Sequence, residues 1–368
     1  MTLYLFFYTK IVSFKMSYEQ RLSNLSVGYH PTKSFVKTPD IKLIDSLSKK
    51  LIEKYTKLPI GLMLDKDIIK SLCLSSVKYI LWIIGDLAND KSIRKNFSLW
   101  LSLIYLVSNI FGIYQRKIGE AYKLQILKTF KTIYQSNLHV YQMSESVSYS
   151  KDELFKDESP KSGSLFHALI ETIEIVLSKY FKKFKRYTKS KVFVQIEHWL
   201  IIYLETLPVL GDSPRIKLLS DYEKWRLGNT PIMCLIWHLI LFHQISDITS
   251  KDYIFFEKVS VVISYHNDIL SYHIDRKNGT LNLIDTLSPD KAKIEAFRNA
   301  IDLVNMYYKG LISLNRGVSN ETSSIILDIL EGTYSWSQNE ERYTPGLKLI
   351  EAVKKNNDVL FNRLLDNI

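Results

Sequence analysis

Apolar residues recur every three to four positions through most of this chain, in long runs that glycine and proline seldom interrupt. Thirteen glycines and nine prolines in 368 residues are few. The many short strands of a sandwich or barrel would need more turn formers, and nothing alternates strand with helix as a parallel sheet requires. The chain is therefore read as all-α. Helices are expected at about 42 to 56 and 66 to 84, through a block from 95 to 139, and at 165 to 181, 192 to 207, 218 to 227, 231 to 245 and 253 to 275. The last three are expected near 289 to 311, 319 to 336 and 345 to 365. Residues 1 to 40 read as a loosely ordered extension, and 41 to 368 as one helical domain without internal repeats. Residues 143 to 164, polar and almost free of large apolar side chains, read as a surface insertion in that domain.

Hydrophobic residues make up 46% and charged residues 24%, ordinary for a globular chain with ample core. The N-terminal apolar run is broken by Lys10 and Lys15 and lacks a cleavage site, so it does not fit a signal peptide, and Met16 is a second candidate start. Residues 97 to 114 carry no charge over eighteen positions, but Ser98, Ser102, Ser108 and Asn109 dilute them. A buried bundle helix explains that pattern better than a membrane span. Cys73 and Cys234, the only two cysteines, lie far apart in apolar surroundings and read as buried thiols of a cytoplasmic protein. The net charge of +11 favours anionic partners, among them phosphorylated substrates. The basic, aromatic run 179 to 191 reads as a solvated helix end, since no nucleic-acid module accompanies it. His238, His243 and His266, on apolar helices, read as core or boundary histidines.

One helix breaks the apolar pattern in an ordered way. In "HNDILSYHIDRKNG", residues 266 to 279, Asn267, Ser271 and Asp275 fall four apart. Each step drifts about 40° around a helix, so an amide, a hydroxyl and a carboxylate share one face. Taken alone, this is a polar stripe or a site for a hard cation.

"NDILSYHID" resembles the Asn-Asp-x-x-Ser-x-x-x-Glu metal motif of class I terpene synthases, with Asp275 where that family has glutamate. The resemblance extends into "GTLNLI" and to three landmarks in the same order. "ILWIIGDLANDK" stands where the aspartate-rich motif belongs. "DSPRIKLLSDYEKWR" resembles the segment carrying a diphosphate-sensing arginine, here Arg226 with Pro214 and Tyr222. "WSQNEERY" resembles the tryptophan and Arg-Tyr pair that close over diphosphate, here Trp336, Arg342 and Tyr343. Together the motifs span residues 80 to 345.

The resemblance implies a helical bundle around an apolar cavity. It also implies an Mg²⁺-dependent cyclase, monomer or homodimer, acting on a prenyl diphosphate without nucleic acid or stable membrane insertion. Three ions would be held by Asn267, Ser271 and Asp275 on one wall and by Asp86 and Asp90 on the other. Arg226, Arg342 and Tyr343 would bind diphosphate. Farnesyl diphosphate, giving a sesquiterpene, is the family's most frequent use.

The chain departs from the family where two adjacent acids are usual. Either Gly85 has replaced the first, or Asp86 leads and Leu87 replaces its neighbour; the second register keeps Asp86 and Asp90 four apart on one face. The plain alternative for both is a solvated helix end. The effector turn reads "GNTP", residues 228 to 231. Two functions stay open: an active cyclase, and a degenerate relative that binds a prenyl diphosphate or terpenoid without turnover.

Overall fold

The computed structural model describes residues 18–23, 25, 39–84, 87, 89–114, 120–137, 160–185, 190–207, 216, 218–287 and 293–366. Every regular element among them is helical. In chain order these are α1 Tyr18–Ser23, α2 Ile41–Tyr55, α3 Lys66–Ile83, α4 Lys91–Tyr114, α5 Glu120–Asn137, α6 Pro160–Phe184, α7 Lys191–Thr206 and α8 Leu219–Gly228. They continue as α9 Ile232–Phe242, α10 Ser250–Asn278, α11 Leu283–Leu287, α12 Lys293–Asn315, α13 Asn320–Asn339, α14 Thr344–Lys354 and α15 Asp358–Asp366. Short 3₁₀ turns lie at Pro59–Leu62 and Glu341–Tyr343.

Side-chain caps set many of the starts. Asp40, Asp65, Ser190 and Ser319 each accept a backbone N–H from the first turn that follows, satisfying donors a helix start leaves over. The expected 95-to-139 block is two helices, α4 and α5. The expected helix 345 to 365 is also two. Asn356 adopts φ 50, a left-handed conformation that asparagine tolerates, and the chain turns there between α14 and α15. Residues 160 to 164 of the expected insertion already belong to α6, while 143 to 159 lie outside the described residues. Within the stretch read as loosely ordered, α1 docks on α12 and α13. Leu22 is buried there, and Arg21 grips Glu331 with two hydrogen bonds of 2.9 and 2.7 Å.

The long charge-free stretch is the buried helix α4. Phe97, Leu99, Trp100, Leu101, Leu103 and Ile104 are fully buried, and no described helix is long and apolar enough to cross a membrane. Cys73 and Cys234 are free, buried thiols.

The centre of the bundle is α10. A reciprocal capping box opens it: the Thr249 hydroxyl accepts from Asp252 N–H while the Asp252 carboxylate accepts from Thr249 N–H at 2.8 Å. Gly279, at φ 65, closes it, and Thr280 N–H returns to the Asp275 carbonyl at 2.8 Å. In between, α10 packs against α8, α9, α11, α12, α13 and α14. Two glycines permit close approaches around this core. A Cβ on Gly332 of α13 would overlap the Trp82 carbonyl oxygen, and one on Gly346 of α14 would overlap that of Leu270.

His238 lies in an aromatic cluster with Phe97, Trp100 and Tyr180. Its Nδ1 meets the Cys234 carbonyl at 2.6 Å and its Nε2 meets the Tyr180 hydroxyl at 2.7 Å. The carbonyl can only accept, so Nδ1 carries the proton and Nε2 accepts from the phenol. Burial lowers this imidazole to about 3, and burial lowers His266 to about 4.

Two outcomes follow from these contacts. Gly346→Ala is expected to lower the urea-unfolding free energy by about 1–3 kcal/mol, because α14 must shift off α10. The unfolded chain binds protons at His238 below its ordinary value near 6.5, whereas the folded chain does not until about 3. Stability is therefore whole above about pH 6.5 and falls on acidification, by about 1.4 kcal/mol per unit well below that value. Unfolding free energies measured from pH 7.5 to 5.5 should fall less steeply in His238→Phe than in the parent, whatever the variant's absolute stability.

Candidate active site

The polar ladder on α10 is connected. Asn267 Nδ2 lies 3.5 Å from Ser271 Oγ, and the Ser271 hydroxyl donates to Asp275 Oδ2 at 2.7 Å. Asn267 and Asp275 are half-buried and Ser271 is buried. Burial raises the Asp275 carboxyl above its ordinary range, while the donors Ser271 and Asn282, then Arg226, pull it back. An amide oxygen, a hydroxyl and one carboxylate are hard oxygen donors from successive turns, and that set suits Mg²⁺ better than a soft metal. No group of three or more His, Cys, Asp or Glu among the described residues could hold an ion alone. An ion at the ladder would therefore need further oxygens from elsewhere, as Mg²⁺ shared with a phosphate has.

The C-terminal pair meets this ladder across 76 positions of sequence: the Tyr343 hydroxyl donates to Asn267 Oδ1 at 2.7 Å. Arg342 Nη2 donates to the same phenol oxygen at 2.6 Å. Its guanidinium stands 5.0 Å from the Trp336 ring centre and 4.5 Å from that of Tyr343. Trp336 in turn packs on Tyr79, with centroids 4.7 Å apart. The motif of Trp336, Arg342 and Tyr343 is one aromatic and cationic cluster at the edge of α10.

Arg226, near the end of α8, faces inward. Its Nη2 and Nε reach the two oxygens of Asp268 at 2.5 and 3.2 Å, and Nη1 reaches Asn229 Oδ1 at 3.1 Å. Tyr222 adds its hydroxyl to Asp268 at 2.7 Å. Asp268 is 1% exposed, so it needs these donors. Burial pushes its carboxyl up to about 6 against the pull of Arg226 and Tyr222, and the pair is charged at neutral pH. Asn267 and Asp268 are neighbours, so the two arginines are tied to consecutive residues of α10, one through Tyr343 and the other directly.

The expected opposite wall is only partly described. Asp86 and Gly85 lie outside the described residues, as does Pro214. Leu87 is partly buried and packs against the core. Asp90 is exposed, and its Oδ1 accepts from Ser92 N–H at 2.7 Å and Ile93 N–H at 3.0 Å. It caps α4, and among the described contacts none joins it to the ladder.

Several residues of the site were given no role by the sequence. Asp268 and Asn282 hold site residues from within. Tyr105 of α4 is partly accessible, yet burial pushes its phenol well up, with Tyr79, Arg342, Tyr343 and Tyr203 acting on it next. The only sequence signal for these tyrosines is the richness of the chain in aromatics, with 23 tyrosines, 17 phenylalanines and 6 tryptophans. His266 is a core histidine, its Nδ1 paired with the Tyr308 hydroxyl at 3.0 Å.

The two arginines should separate in stability measurements. Arg226→Ala leaves the Asp268 carboxylate buried without its cation and is expected to cost about 3–5 kcal/mol. Arg342 is exposed, and Arg342→Ala should cost about 1 kcal/mol or less, the scale of an exposed cation–π contact. Chemical denaturation of both variants checks the contrast.

No family model matches the chain. No curated protein matches it in sequence at a significant level. Solved structures do match in three dimensions. 2-Methylisoborneol synthase from Streptomyces coelicolor A3(2), in complex with Mg²⁺ and geranyl-S-thiolodiphosphate, superposes with a TM-score of 0.58 at 11% identity, over 85% of this chain and 94% of that one. Linalool/nerolidol synthase from Streptomyces clavuligerus, in complex with 2-fluorogeranyl diphosphate, gives 0.57 at 13% identity, over 86% and 99%. With its helices in this arrangement and most of both lengths superposed, the chain has the all-α fold of the class I terpene synthases.

Proposed function

We propose that this chain is a Mg²⁺-dependent terpene cyclase that ionises a prenyl diphosphate and releases diphosphate. The observation that carries the reading is the 2.7 Å hydrogen bond from Tyr343 to Asn267. It brings the Arg-Tyr pair onto the helix face that holds Ser271 and Asp275, though nothing in a stability argument requires these two pieces to meet. The two solved relatives bound prenyl diphosphate analogues, one of them with Mg²⁺, which supports the same substrate class here.

The residues have distinct tasks. Mg²⁺, when bound, supplies charge neutralisation for the leaving diphosphate. Asn267, Ser271 and Asp275 would hold it on α10, and Asp86 and Asp90 are the candidates for two further ions. Arg342 presents a fork of donors, and Tyr343 an O–H that can turn from Asn267 to a phosphate oxygen. Arg226, held in place by Asp268, is the third candidate donor to the diphosphate. Tyr79, Tyr105, Tyr203 and Trp336 offer aromatic faces to an allylic cation, worth about 0.5–2 kcal/mol per contact, and keep water from it. Farnesyl diphosphate is the first substrate to test.

One observation favours the second reading, a non-catalytic binder: Asp90 is engaged as a helix cap and Leu87 packs on the core, so the aspartate-rich segment offers little beyond Asp86.

The test is incubation with geranyl, farnesyl and geranylgeranyl diphosphates, with volatiles read by gas chromatography and diphosphate release measured alongside. Product is expected with Mg²⁺, lost in EDTA and restored by excess Mg²⁺. Arg342→Ala should slow turnover by about 10²-fold, since its contact strengthens as charge develops on the leaving group. No product from any substrate, with Mg²⁺-dependent binding of pyrophosphate retained, would select the binder.

A further inference from the structure

The turn after α10 returns over the ladder. Gly279 reverses the chain, and Asn282, three residues on, is fully buried. Its Nδ2 donates to Asp275 Oδ2 at 2.7 Å and to the Asp268 carbonyl oxygen at 2.9 Å, while its Oδ1 accepts from Ile284 N–H at 3.0 Å and caps α11. Both amide hydrogens and the carbonyl are thus engaged, from three directions. A side chain held this way has little freedom left, and it transmits that rigidity to what it touches.

What it touches is the residue of the ladder with most need of support. Asp275 lies in the last turn of α10, where helices fray, and has one methylene fewer than the glutamate usual at this place. Two donors meet its carboxylate, Ser271 and Asn282, and both meet the same oxygen, Oδ2. The lone pairs of Oδ1 are those left for a cation. The donors differ in one respect: Ser271 is itself a candidate ligand, whereas an amide N–H cannot be one. Asn282 can hold Asp275 identically with and without an ion.

Resting on the reading of Asn267, Ser271 and Asp275 as metal ligands, we infer that Asn282 is a positioning residue of the metal site. It clamps Asp275 Oδ2 to the body of α10 so that Oδ1 is presented to the ion, and it thereby offsets the short side chain. Partners of metal ligands of this kind, when removed, weaken metal affinity by about 10–100-fold.

The experiment must separate the clamp from the cap. Asn282→Ser keeps an oxygen able to cap α11 but cannot reach Asp275. Asn282→Thr does the same while filling more of the space, and replaces it should the serine variant melt early. Mg²⁺-dependent binding of inorganic pyrophosphate is titrated by calorimetry in the parent, in Asn282→Ser, in Asp275→Ala and in the double variant, with melting followed by circular dichroism. The expected result is an approximately tenfold or greater loss in Asn282→Ser, and no further loss when the same change is made on Asp275→Ala. Parent-like binding by Asn282→Ser overturns the inference, as does an equal fold-loss in both backgrounds, which marks a general structural role. A parent that binds no pyrophosphate at any Mg²⁺ concentration overturns the metal-site reading itself, an outcome distinguishable from the other two.

Discussion

A buried helix that carries charge must be given partners, and the rest of this structure is arranged around that demand on α10. Asp268 is buried, with 1% of its surface exposed. An isolated carboxylate there would be costly, so Arg226 and Tyr222 are brought in from α8 to meet it. That ion pair ties one face of α10 to α8. With Asp268 turned to α8, the face that starts at Asn267 is turned to the C-terminal turn, and Ser271 and Asp275 follow it by helix periodicity.

The two sides of α10 therefore have different chemistry. On one side the Asp268 carboxylate has both oxygens paired inside the protein, with Arg226 and Tyr222. On the other, Asn267, Ser271 and Asp275 are bonded mainly to one another, to Tyr343 and to Asn282. Those bonds satisfy the oxygens in the absence of a cation and can be exchanged one at a time. On the proposed reading, such a site keeps its shape before a ligand arrives, the condition for strong electrostatic action on a departing anion. Glycine assists at the periphery: Gly332 and Gly346 let α13 and α14 close against backbone carbonyls, which sets Trp336 and the Arg-Tyr pair near α10.

The opposite wall is less complete. Asp90 serves the α4 N-terminus, where the helix dipole and two backbone N–H groups already engage its carboxylate. Leu87 contributes to the core. Both are sensible local structure, and on the proposed reading they leave this segment few acids for a metal ion. Near the N-terminus, α1 is held on α12 and α13 by the buried Leu22 and by Arg21, which pairs with Glu331 and Asp328.

Much of this could be read from the chain alone. Period-3.6 patterning located nearly every described helix, because an apolar stripe is a local property of the order of residues. The four-residue spacing of Asn267, Ser271 and Asp275 placed them on one face for the same reason. The position of Trp336, Arg342 and Tyr343 along the chain, read with the resemblance, named a second part of the candidate site, and the fold brings Tyr343 to Asn267. The breaks were harder: a single left-handed asparagine, Asn356, divides a helix that the pattern would continue. The partner of each charge depended entirely on folding. That Arg226 faces Asp268 and not solvent, that Asp90 caps a helix, and that Asn282 turns back onto Asp275 are contacts decided by how helices pack and where the chain reverses. Spacing along one helix says which side chains share a face, whereas what that face meets is fixed only once the other helices have closed around it.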